Sequence, residues 1–305
     1  MKNTVLMFCF LLSFIAKGQP ETLYSKAFGS REDKAVIFIH GGPSGNATLF
    51  EFTTAQNLAE KGFYVIVYDR RGEGRSGDPT ATYTYEESRK DLVSIYKKHK
   101  IEKAALIAHS FGGLVATLFA EKQPKMVSCL ILAGGLFDQQ ATYDNIIKSV
   151  SKIYQSNRDT LKLEEIAVLK NTDKNSAAYR KKCFDLAYEN DFFEMPNPTK
   201  KAEDLRQTYQ NEVLDNNIRN QNAPILFYQN EALKNIKTKA ILKKLRTQIK
   251  VCGIYGKQDS IFGQAQMKKM SRIVGSKQFV LLDNCSHYLF VDQQEAFLKS
   301  IVDWL

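Results

Sequence analysis

Ile107-Ala108-His109-Ser110-Phe111-Gly112-Gly113 is the stretch that decides how this 305-residue chain is read. It opens on the apolar run Ala104-Ala105-Leu106-Ile107-Ala108, which has the look of a buried strand. It closes on Gly112 to Lys122, which has helical spacing. A strand that turns this sharply into a helix needs small side chains two places either side of the turn residue, because the two backbones approach closely there. Ala108 and Gly112 supply them. The turn lifts the Ser110 hydroxyl above the sheet edge, which makes Ser110 a candidate nucleophile rather than an ordinary loop serine.

A serine hydroxyl is a poor nucleophile without a base. The chain has four histidines: His40, His99, His109 and His287. His99, in Lys97-Lys98-His99-Lys100, reads as a solvated helix end. His109 adjoins Ser110 and should point elsewhere. His287 follows the last strand pattern, at the carboxyl edge of the sheet where α/β sites form, and is the expected base. The third member should be a carboxylate that orients the imidazole and stabilises its protonated form. Asp259, directly after the strand ending in Tyr255-Gly256, fits, and Asp138 is the second candidate. His40-Gly41-Gly42-Pro43 follows an earlier strand. Pro43 has no N–H, so the expected oxyanion donors are the Gly42 and Phe111 N–H groups. His40 is expected to brace that loop. Asp69-Arg70-Arg71-Gly72-Glu73-Gly74-Arg75-Ser76-Gly77 lacks the GxxxxGK[ST] phosphate pattern and reads as a scaffold loop near the site.

Further out, short β-branched runs alternate with helical patterns, which signals a mostly parallel sheet with crossover helices. Strands are expected at 35–39, 64–68, 104–108, 128–132, 250–255 and 279–282, and helices at 53–61, 85–99, 112–122 and 293–304. Between 137 and 245 the rhythm becomes polar and helical, and the short run Ile225-Leu226-Phe227-Tyr228 is ambiguous. The expected organisation is a core from 19–136 and 246–305 with a helical cap, 137–245, inserted in it.

Met1-Lys2-Asn3, the apolar run Val5 to Ala16 and Ala16-Lys17-Gly18 have the layout of a secretory signal peptide over residues 1–18. The run is too short to span a bilayer. The expected product is therefore exported, periplasmic or secreted, with no stable membrane insertion after cleavage. The formal charge is +10, and removing Lys2 and Lys17 takes it to +8. The lysines are scattered rather than interleaved with aromatics, which argues against a nucleic-acid partner. Four cysteines in so long a mature chain are not a disulfide framework, and no CxxC or His-Cys cluster suggests a metal site. No cofactor is implied.

His40-Gly41-Gly42-Pro43, the Asp69–Ser76 segment, Ala108-His109-Ser110-Phe111-Gly112-Gly113, Asp259 and His287 together resemble the α/β-hydrolase superfamily. The first two motifs most resemble its proline iminopeptidase branch. That resemblance implies a mostly parallel sheet flanked by helices, an acyl-enzyme mechanism, and a short-peptide or other small-molecule substrate. Two features depart from the branch: Ser44 stands where a further Gly is usual, and Trp304 is the only Trp. An aminopeptidase must pair the substrate ammonium, and Glu189 and Glu194 in the cap are the candidates. A carboxylesterase or a carbon–carbon bond hydrolase would use the same triad, and a binding module on this fold is the non-enzymatic alternative.

Overall fold

The computed structural model describes residues 23–305, so the expected signal peptide lies outside the described residues. Seven strands form one sheet: β1 (Ser25–Phe28), β2 (Lys34–Ile39), β3 (Phe63–Tyr68), β4 (Ala104–Ser110), β5 (Val127–Gly135), β6 (Lys250–Gly256) and β7 (Phe279–Leu282). Their spatial order is β1-β3-β2-β4-β5-β6-β7, with β2 to β7 parallel and β1 antiparallel on the β3 edge. The six strands expected from sequence are all present. β1 was not expected: its four residues carry no clear alternation, and it lies at the half-buried edge.

The central strands are apolar on both faces, as a parallel sheet covered on both sides requires. Ile37, Leu106 and Leu130 face one layer with Leu92, Ile95, Leu114 and Phe119 from the helices Tyr85–His99 and Gly112–Lys122. Phe38, Ile107 and Ile131 face the other layer with Phe50, Phe290, Phe297 and Ile301. Phe38 stacks on Phe50 with ring centroids 3.8 Å apart. From β2 the chain passes to β3 on one side and then to β4 on the other. The carboxyl ends of β2 and β4 therefore flank the point where strand order reverses, the place where open α/β sheets form sites.

The helix expected at 53–61 is a helical segment at 48–59, π-helical from Glu51 to Ala55. His99 is not solvated. Its Nδ1 lies 3.0 Å from the Tyr64 hydroxyl and its Nε2 3.1 Å from Ser25 Oγ, because β1 folds over the helix end. Among the described residues, no helix is long and apolar enough to cross a membrane. The four described cysteines, Cys129, Cys183, Cys252 and Cys285, are buried free thiols.

The inserted region consists mainly of the helices Gln139–Ser156, Thr160–Asn171, Ala177–Glu189, Lys200–Glu212 and Ala223–Asn230. The ambiguous run at 225–228 is helical. Pro224 sits in the first turn, where a missing N–H costs nothing, and a four-residue apolar run has no period of its own. Lys239–Leu245 buries Leu242 and Leu245 and packs on the core helices Gly112–Lys122 and Gln264–Val274. The region leaves and rejoins the core through a stitched neck. Asp138 bridges Lys237, Gln139 N–H donates to Ile236 O (3.0 Å), and Thr238 N–H donates to Phe137 O (2.9 Å).

Candidate active site

Ser110 ends β4 with φ +50°, a left-handed conformation uncommon for a residue with a side chain and concentrated at functional positions. Gly112 allows the turn to close against β2. A Cβ there would come within 2.4 Å of Ile39 O, a contact that only glycine avoids. Gly41 lies beside the turn, since a side chain on it would meet Ser110 Cβ at 3.0 Å.

Asp259 and His287 lie on the loops after β6 and β7, and those loops are laced together. Gln258 N–H donates to Cys285 O (2.9 Å), Lys257 N–H to Leu282 O (2.8 Å), and Cys285 N–H to Gln258 Oε1 (3.0 Å). The lacing sets His287 Nδ1 2.9 Å from Asp259 Oδ2, with both side chains buried. Asp259 Oδ1 accepts the Ile261 N–H at 2.9 Å, which fixes the carboxylate plane. His287 Nε2 is buried and bonds no other described group, so the Ser110–His287 hydrogen bond is not made. Such contacts are often long before substrate binds. Asp138, the second candidate acid, is occupied elsewhere: it caps Gln139–Ser156 through Ala141 N–H and pairs with Lys269 at 2.8 Å.

His109 does point away from a basic role, but it is not idle. Its Nε2 donates to His287 O at 3.0 Å, and the two rings lie 4.8 Å apart. Burial and the neighbouring His287 hold its pKa down to about 3, so the ring is a neutral strut under the base loop. Asp292 supports the same loop from the other side by accepting the Ser286 N–H (2.8 Å) and hydroxyl (2.6 Å). It also pairs with Arg206 of the inserted helix Lys200–Glu212 at 2.8 Å. Neither strut had a sequence signal: His109 bonds a backbone carbonyl 178 positions away, and Asp292 bonds a nearby loop serine without any repeating pattern.

Gly42 has φ +133°, and a Cβ there would lie 2.7 Å from Arg70 Nη2. His40 braces this loop as expected: Nδ1 bonds Gly41 O (2.7 Å), and Nε2 accepts the Arg70 N–H (3.0 Å). Buried Arg70 donates to His40 O and Gly41 O and pairs with Glu73, which accepts the Gly45 N–H. The Asp69–Gly77 segment is thus the scaffold of the Gly41–Gly42 loop. Phe111, the other expected donor, is buried with its ring near Tyr85 (5.9 Å), Phe227 (5.0 Å) and the Arg70 guanidinium (5.4 Å).

Glu189 and Glu194 are both exposed, and Glu189 lies 3.4 Å from Lys162. Between them, the Phe193 ring reaches to 5.3 Å from His287. An open groove of about 390 Å³ lies among inserted helices, lined by residues including Asp144, Lys148, Lys152, Lys170 and Lys174; it shares no residue with the Ser110 group. Among the described residues, no group of three or more His, Cys, Asp or Glu is placed to hold a metal.

Comparison with known proteins agrees with the fold. A family model described as alpha/beta hydrolase fold matches residues 34–294. The chain is 24% identical over 283 residues to a proline iminopeptidase of Saccharolobus solfataricus, covering 90% of this chain and 85% of that one. It is 30% identical over 135 residues to the human serine hydrolase BPHL, covering 42% and 46%. Among solved structures it resembles a proline iminopeptidase-related protein of Thermus thermophilus (TM-score 0.67, 23% identity, 93% and 92% covered). It also resembles an esterase of Exiguobacterium antarcticum (TM-score 0.62, 22% identity, 92% and 94% covered).

Proposed function

Since the chain belongs to the alpha/beta hydrolase fold family, we propose that it cleaves a small ester or amide through an acyl-enzyme on Ser110. The observation that carries this reading is the buried His287–Asp259 pair on the loops after β6 and β7, at the same carboxyl edge of the sheet as the strained β4–helix turn that presents Ser110. Ser110 Oγ attacks the carbonyl carbon as His287 Nε2 takes its proton. Asp259 keeps the other ring proton on Nδ1 and stabilises the imidazolium. The Gly42 and Phe111 N–H groups bind the oxygen that becomes negative. His287 then protonates the leaving group, and a water attacks the acyl-serine by the same route in reverse.

Similarity along nearly the whole chain to a proline iminopeptidase supports an aminopeptidase reading, and likeness of fold to an esterase supports the other. The exposed positions of Glu189 and Glu194 weigh against them as partners for a substrate ammonium, which is costly to bury unpaired. The test is a screen of purified protein against p-nitrophenyl esters, free aminoacyl-naphthylamides and their N-acetylated analogues. Ser110→Ala should lose several orders of magnitude in turnover and its labelling by a fluorophosphonate probe. Wild-type turnover in that variant refutes the mechanism. A strong preference for the free amine over its acetylated analogue identifies the aminopeptidase.

A further inference from the structure

We propose that Arg180, on the inserted helix Ala177–Glu189, binds a carboxylate carried by the substrate, so that this hydrolase prefers anionic esters or amides to neutral ones. The proposal rests on the acyl-hydrolase reading above and names the class of substrate it acts on.

Arg180 is 1% exposed, and it is among the largest fully buried side chains of the molecule. Its Nη1 and Nη2 are buried and bonded by no acceptor among the described residues. An arginine cannot shed its proton to relieve burial, so the site holds a fixed positive charge. Unpaired buried charge is strongly unfavourable, and a fold that keeps one needs a reason outside its own packing. The carboxylates of this region are engaged elsewhere. Glu231 accepts the Tyr85 and Leu233 N–H groups, both at 2.8 Å, Asp144 bonds Gln140 and lies near Lys174, and Asp138 pairs with Lys269.

The surroundings suit an anion. The guanidinium carbon lies 4.6 Å from the Tyr143 ring centre, 5.9 Å from that of Tyr179 and 6.0 Å from that of Tyr228. Aromatic faces stabilise the cation but take none of its N–H bonds, so the Nη1/Nη2 edge remains available for a bidentate carboxylate. Hydroxyl donors stand nearby. Tyr143 and Tyr228 share a hydrogen bond of 2.9 Å, and the buried Tyr85 hydroxyl has no partner. Burial raises the Tyr85 pKa well above its ordinary value, which keeps it a phenol able to donate.

The cluster reaches the residue next to Ser110 through a chain of ring contacts. Tyr228 adjoins Phe227 at 6.0 Å, and Phe227 and Tyr85 pack on Phe111, the residue after Ser110. One aromatic wall thus joins the arginine to the reacting centre. A carboxylate bound there is remote from the reacting atoms and contributes equally to ground and transition states, so its loss should appear in KM.

The experiment compares mono-p-nitrophenyl glutarate and adipate with the neutral valerate and hexanoate esters, for a carboxylate on the acyl side. A dipeptide and its C-terminal amide serve for a carboxylate on the leaving side. The wild type should favour one anionic series by about tenfold or more in kcat/KM. Arg180→Gln should abolish that preference through KM while neutral-ester kcat stays within about threefold. Glutarate, but not glutaramide, should raise the melting temperature of the wild type and not of Arg180→Gln. This arm reads the site even without turnover and needs only the wild type if the variant does not fold. Equal rates for anionic and neutral substrates with no glutarate shift, or a preference that survives Arg180→Gln, overturns the proposal. Absence of all hydrolysis with an intact glutarate shift would instead overturn the acyl-hydrolase reading alone.

Discussion

Ser110 is held at φ +50°, where an L-residue is destabilised by about 1–2 kcal/mol relative to the usual basins. Glycine carries no such penalty. Ser110→Gly should therefore abolish turnover yet raise unfolding stability by roughly 1 kcal/mol, read by urea denaturation beside an activity assay. A variant less stable than Ser110→Ala would show that the turn is not strained. The two candidate acids separate in the same way. Asp259→Asn replaces the acceptor on His287 Nδ1 and should cut kcat by about 10³-fold or more, with little change in fold. Asp138→Asn should leave kcat within a few-fold and cost about 1 kcal/mol through the weakened helix cap and Lys269 pair. The order Ser110, Asp259, His287 was legible because each residue directly follows a strand pattern. The struts His109 and Asp292 were not, because a bond to a distant carbonyl or to a neighbouring loop serine leaves no pattern in the sequence. Arg180 reads in sequence as one more charge on a polar helix, and only its burial sets it apart.

At the scale of elements, the readable parts are those whose pattern is local. β4 and its helix announce themselves through continuous apolar residues meeting small ones. β1 does not, since an edge strand buries too little to impose alternation. The run at 225–228 could not be typed by period and became helical through its proline and its packing on Phe111. The Gly41–Gly42 loop was legible as glycine-rich, but its rigidity comes from Arg70 and Glu73, some thirty residues on. That dependence yields a prediction. Gly42→Ala drives a methyl into the Arg70 guanidinium and should lower kcat by 10²-fold or more, the scale of losing one oxyanion donor, with KM nearly unchanged. Steady-state kinetics on a reactive ester decides it, and an unchanged kcat removes Gly42 from the donor role.

For the whole molecule, acid stability follows from its buried imidazoles. His109 titrates in the folded state at about 3 and His99 at about 4, against an ordinary value of 6.5, chiefly because burial opposes the charged form. The unfolded chain therefore binds more protons below pH 6.5. The stabilisation is complete above that value and is lost as pH falls towards 3. Between pH 6.5 and 4.5, His109 alone should account for roughly 2–3 kcal/mol of lost unfolding free energy. His109→Gln should flatten the urea-derived stability profile by that amount, and parallel profiles would contradict the assignment. We also propose that the chain is exported and processed near Gly18, on the charge–apolar–small pattern of its first residues. Intact-mass measurement of the exported protein should give a start close to Gln19, and full-length protein confined to the cytoplasm would refute it.

The stitched neck at Asp138 and Lys237 has a further consequence. Because the two ends of the insertion are hydrogen-bonded to each other at the core, the chain leaves and re-enters the scaffold at one place, and the insertion's remaining links to the core are side-chain contacts such as Arg206–Asp292 and Phe227–Phe111. Ser110 lies before that point in the chain, and Asp259 and His287 lie after it. Evolution or a protein engineer can therefore exchange everything between 138 and 237 as a cassette. Such a swap would change which molecules reach the serine, and it would keep the chemistry performed on them where the incoming segment again braces Asp292 as Arg206 does.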